Sequence, residues 1–133
     1  MSGLLRKVDA VTVRVPDLDS GLAFYLHQLG HDLVWRNDEI GQAGLRLPDS
    51  ETDLVLATEL DYAPSWLVDS ADEAAEQIAS RGGLLVTAPF DIPVGRCAVV
   101  EDPFGNVLVL LDLSKGLYTT DDRGKVTGVT QSD

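Results

Sequence analysis

The sequence predicts an α+β fold of two βαβββ modules, and three observations carry the prediction. Shifting the chain by 53 positions lays residues 10–57 on residues 63–110 without a gap. Val15 then meets Val68, Asp19 meets Asp72, Gly30 meets Gly83 and Asp49 meets Asp102. Apolar positions keep the same register, with Leu33 on Val86, Leu47 on Val100, Leu54 on Val107 and Val55 on Leu108. Each half also reads as the same string of elements. One module alone has a bare apolar sheet face, and two paired modules make a curved mixed sheet around a cavity.

The first module opens with Val11, Val13 and Val15 alternating with Ala10, Thr12 and Arg14, a period of two that indicates a strand. Asp17 is placed to cap a helix whose apolar stripe is Leu18, Leu22, Tyr25, Leu26 and Leu29, with Gly30 as its stop. Strands follow over about 32–36, 43–47 and 53–59. In the second module Ser70 takes the capping place with Glu73 three residues on. Ala71, Ala75 and Ile78 repeat the stripe, and Gly82-Gly83 closes it. Its strands are expected over 84–88, 96–101 and 106–112, the last pair joined by Asp102–Gly105. The modules occupy about 8–60 and 61–113 of a single domain over 1–113. Residues 114–133 form a polar tail, read either as a hairpin around Asp121-Asp122-Arg123-Gly124 or as a loosely ordered terminus.

Composition bounds the partners. Hydrophobic residues make up 44% and charged residues 24% of 133, as in a folded globular domain. A net charge of −12 repels nucleic acid and anionic membrane, so neither is expected as a partner. The lone Cys97 excludes an internal disulfide and fits a reducing compartment. The opening MSGLLRKVDAV lacks the apolar core of a secretory signal, and no apolar run approaches a membrane span, so a cytoplasmic location is expected.

The stretch VTVRVPDLDSGLAFYLHQLG, followed much later by EDPFGNVLVLLD, resembles the vicinal oxygen chelate superfamily, the glyoxalase, bleomycin-resistance and extradiol-dioxygenase group. The resemblance spans about residues 8–113 and implies paired βαβββ modules. It also implies a homodimer. Metalloenzymes of that superfamily hold a divalent ion with His, Gln or Glu from the first and last strand of each module. Carried over by position, the first-strand ligands fall on Ala10 and Ala63, and the last-strand ligands on Leu56 and Val109. None of these side chains has a lone pair to give, so no metal site is expected there.

Other arrangements are equally poor. His27 and His31 are separated by the helix stop at Gly30. Asp49, Glu51 and Asp53 begin like a calcium loop, but Leu54 and Leu60 stand where a glycine and a glutamate are required. No nucleophile elbow or phosphate-binding glycine loop is present, and no cofactor is expected.

Strand parity nominates the cavity lining. If Ala10 faces inward, so do Thr12 and Arg14, and in the second module Ala63 and Ser65. The same parity sends Leu56 and Thr58 inward, with Val109 on the other last strand, and Trp35 is a candidate stacking wall. Arg14 in such a place needs a carboxylate, from Glu59 or from a ligand. An aliphatic pocket with sparse polar points suits a small apolar or aromatic molecule, bound without a metal. The alternatives are a metal-independent isomerase or lyase of the same fold, with Arg14 or Glu59 as working groups, and an interaction subunit without a ligand. Whether the chain is an enzyme stays open at this point, with metal-dependent glyoxalase or dioxygenase activity disfavoured.

Overall fold

The computed structural model describes residues 3–131. Residues 1–2 of the expected domain 1–113 and residues 132–133 of the expected tail 114–133 lie outside the described residues. The elements run β1 (Lys7–Arg14), α1 (Leu18–Leu22), β2 (Leu33–Asn37), β3 (Gln42–Leu47), β4 (Ser50–Ala57), β5 (Ala63–Leu67), α2 (Ala71–Ser80), β6 (Leu84–Ile92), β7 (Gly95–Glu101), β8 (Val107–Leu111), β9 (Leu117–Thr120) and β10 (Val126–Thr130). The fold class is α+β. The chain divides into two compact units: a first unit of Asp9–Ala63 with Tyr118–Gly128, and a second of Pro64–Leu117 with the two chain ends. No helix among the described residues is long and apolar enough to cross a membrane.

In the first unit β1 pairs in parallel with β4, while β3 pairs antiparallel with both β4 and β2. Asp17 caps α1 by accepting a hydrogen bond from the Ser20 amide at 2.7 Å. The helix continues as a π-helical turn, Ala23–Gln28, and Gly30 ends it at φ 83°. Widening to five-residue hydrogen bonds, as in Leu29 N–H to Phe24 O at 2.9 Å, rotates the end of the stripe outward. Leu29 is therefore 52% exposed instead of joining the core. Val15, Leu18, Leu22, Ala43, Leu45 and Leu56 form that core. Helix and sheet meet closely at Gly21, where an added Cβ would lie 3.1 Å from Leu56 Cδ1.

The second unit has parallel β5 and β8, with β7 antiparallel to both β8 and β6. Ser70 caps α2 by accepting from the Glu73 amide at 3.2 Å. Its core is Val68, Ala71, Ala74, Ala75, Ala98, Val100 and Leu110, all 0–2% exposed. Asp112 fastens the helix to the sheet. Its buried carboxylate accepts from the amides of Ala71 at 2.8 Å, Arg96 at 2.9 Å and Ser114 at 3.2 Å. The β9–β10 hairpin turns at Asp121, whose carboxylate accepts from the Arg123 and Lys125 amides.

Candidate functional site

Register decides which side chains share a face. In the first unit Thr12 lies beside Val55, Val55 beside Gly44, and Gly44 beside Trp35. Side chains in register project to the same side of a pleated sheet. Val13, Val15, Leu54 and Leu56 pack into the helix-side core. Thr12, Val55, Gly44 and Trp35 therefore form a cross-strand row on the face without a helix. With strands about 4.8 Å apart, the row runs about 14 Å from Thr12 to Trp35. Ala10, Thr12, Val55 and Ala57 on this face are buried, at 6%, 6%, 7% and 0% exposure.

The indole of Trp35 lies flat against the bare backbone of Gly44. A Cβ there would sit 2.5 Å from Trp35 Cε2 and closer still to Nε1. Beyond the indole stands Tyr118 of β9, its ring 4.8 Å away and inclined by 46°. Asn37 Nδ2, two residues along β2, donates to the Tyr118 hydroxyl at 3.5 Å. Burial raises the Tyr118 pKa, and the Asn37 bond pulls it partly back. The hairpin is held here by the Arg36 amide donating to Gly124 O at 2.8 Å and by Gly124 packing on Leu33.

The corresponding row in the second unit is Ser65, Val109, Val99 and Thr87. It has a hydroxyl at the same end and valines in the middle, but no glycine and no aromatic ring. Leu67, Cys97 and Leu111 extend the apolar surface of this face. Burial, and then the charge of Asp112, pushes the Cys97 thiol up to about 11.

The expected lining residues thus separate. Thr12 and Trp35 share the row of the first unit, Ser65 and Val109 that of the second, and Ala63 is half-buried at the start of β5. Leu56 corrects the parity expectation, because it packs beneath α1 and is 0% exposed. The reason is a one-residue difference between modules. Val13 pairs with Leu56, whereas Trp66, its counterpart 53 positions on, pairs with Leu110. An ungapped shift cannot register that difference, and Val55 is the true partner position to Val109. Thr58, of the same parity as Leu56, donates from its hydroxyl to Gly41 O at 3.4 Å and ties the end of β4 to the β2–β3 turn. Arg14 is exposed, and Asp61, not Glu59, is its carboxylate, at 3.0 Å. Arg96 is held by Asp72 and Asp91. Val55, Gly44, Asn37 and Tyr118 were not nominated by strand parity. The lone glycine inside β3 was the available signal, since such glycines mark close approach.

A glyoxalase/bleomycin resistance protein/dioxygenase superfamily model matches residues 7–110. The chain belongs to this superfamily. It is 33% identical over 109 residues to an uncharacterised protein of Mycolicibacterium smegmatis, covering 77% of this chain and 90% of the relative. It is 34% identical over 106 residues to “Putative glyoxylase CFP32” of Mycobacterium tuberculosis, covering 72% of this chain but only 39% of that longer protein. Among solved structures, methylmalonyl-CoA epimerase of M. tuberculosis matches with a TM-score of 0.64 at 24% identity, covering 84% of this chain and 91% of that one. The epimerase of Streptomyces coelicolor gives 0.64 at 20% identity, covering 81% and 97%. Both likenesses concern the fold.

Metal ligation can be tested against the side chains of this superfamily member. The positions that the resemblance assigns to ligands hold Ala10, Ala63 and Val109, with Val55 replacing Leu56 once the register is known. Methyl and isopropyl groups donate no electron pair, so these residues do not fit a divalent ion. No group of three or more His, Cys, Asp or Glu suited to a metal occurs among the described residues. His31 Nδ1 lies 3.2 Å from Arg46 O.

Proposed function

We propose that this superfamily member binds a small apolar or aromatic molecule on the helix-free face of its first unit, without a metal. The row Thr12–Val55–Gly44–Trp35 carries the reading: small side chains form a floor about one ring wide, bounded by an indole. Binding of this kind draws on shape and apolar contact and needs no proton-transfer group. A cytoplasmic homodimer is part of the same proposal. The metal-independent enzyme is less well supported, since Arg14 is engaged by Asp61 and Glu59 is exposed.

A panel of ring compounds, titrated against the full chain by calorimetry and by tryptophan fluorescence, tests the proposal. Binding that survives exhaustive chelation, with a signal from Trp35 in a Trp66→Phe background, is the expected result. Binding that appears only after loading with Fe, Mn, Ni or Zn overturns the metal-free reading. Sedimentation tests the dimer.

A further inference from the structure

The first unit's row ends in a residue that lies outside the span matched by the superfamily. Residues 7–110 carry the match, and Tyr118 comes from the hairpin that follows it. At the opposite end stands Thr12, a residue 6% exposed whose hydroxyl is not a fully buried orphan, Trp66 Nε1 being the one such side-chain atom among the described residues. That hydroxyl therefore keeps contact with solvent, and a ligand's polar group can take the place of the water it would otherwise bind.

We infer that the C-terminal hairpin completes a site for a planar aromatic ligand bearing one polar group, with Tyr118 and Trp35 holding its ring and the Thr12 hydroxyl bonding the polar group. This inference rests on the binding function proposed above and adds the ligand class and the residues that select it.

The dimensions support the assignment. Gly44 and Thr12 are two strand spacings apart, about 10 Å, with only the Val55 side chain between them. That length accommodates one or two fused rings. The indole over Gly44 and the inclined phenol form an aromatic corner, and ring pairs of this kind gain from offset or edge contact. Asn37 fixes the phenol from its hydroxyl end, so the corner is set before a ligand arrives. The second unit supplies an internal comparison. Its Ser65, a residue 9% exposed, supplies the matching hydroxyl, yet its row ends in Val99 and Thr87. A hydroxyl is present there and the aromatic corner is not, so only the first unit has both halves of the site.

Three probes separate the contributions: 2-naphthol is planar with a hydroxyl, naphthalene is planar without one, and 2-decalol has the hydroxyl without planarity. Affinities are measured for the full chain and its variants by ligand-observed NMR and, where solubility allows, calorimetry. The wild type is expected to prefer 2-naphthol over both others. Thr12→Val, which keeps the shape, is expected to weaken 2-naphthol about tenfold and to leave naphthalene unchanged. Tyr118→Leu is expected to weaken both planar probes about fivefold relative to 2-decalol. Tyr118→Phe retains the ring and is expected to retain the planar preference, which guards against a hairpin that merely unfolds in the leucine variant. If all three probes bind but the variants leave their ratios unchanged, the inference fails while the binding function stands. If none of the three binds the wild type, the binding function fails and the inference falls with it.

Discussion

The Asp112 carboxylate accepts a hydrogen bond from the Ala71 amide at 2.8 Å, joining the residue after β8 to the first residue of α2. It accepts further bonds from the Arg96 amide and from the Ser114 amide and hydroxyl, the last at 2.7 Å. Burial works against its charge, but the bonds from Ala71, Ser114 and Arg96 outweigh burial, and its pKa lies below the ordinary carboxylate value. Asp112→Ala leaves several buried amides without a partner. It is expected to lower unfolding stability by about 3 kcal/mol in urea titration. The charged form is the favoured one in the fold, so its contribution is present above pH 3.8 and is lost as pH falls through the depressed folded value. The stability gap between wild type and Asp112→Asn should narrow as the solution is acidified below about pH 4.

Leu56 and Val109 were paired by the 53-residue shift but face different surroundings. Leu56→Ala opens a cavity under α1 and should cost about 3 kcal/mol. Val109→Ala, on a half-buried face, should cost about 1 kcal/mol. Equal losses in chemical denaturation would contradict the facing assigned to Leu56.

Gly44 has no room for a side chain beneath Trp35. Gly44→Ala should lift the indole, destabilise the chain by about 2 kcal/mol and red-shift Trp35 emission in a Trp66→Phe background. An unshifted spectrum would mean that the ring does not rest on the glycine.

Cys97 should be chemically quiet. With its pKa pushed to about 11, the native thiol is neutral at pH 8 and should react with a disulfide reagent only after denaturation. The stabilising contribution of the neutral thiol is complete below pH 9.0 and is lost as pH rises toward 11.

Local signals in the sequence were read well where physics is local. Asp17 and Ser70 cap their helices, Gly30 stops the first, and alternation along Val11–Val15 separates helix side from open side. Leu56 shows where such reading ends: a one-residue change in strand pairing reverses a face, and no residue near Leu56 announces it. Tyr118 shows a different limit. Its partnership with Trp35 joins positions 83 residues apart and depends on how Gly124 seats the hairpin on β2. Arg14 found its carboxylate at Asp61, two residues beyond the expected candidate Glu59, because side chains at strand ends are placed by the following loop.

Phe104 is 86% exposed at the tip of the β7–β8 turn. Asp102 accepts there from the Phe104 amide at 2.8 Å, from the Asn106 amide at 2.9 Å and from Asn106 Nδ2 at 2.8 Å. A chymotrypsin-type protease must draw its substrate into an extended form, which requires all of those bonds to open together. The most exposed aromatic side chain in this unit is therefore expected to be a poor cleavage site in the folded chain, and its cutting rate would report how often the turn comes apart.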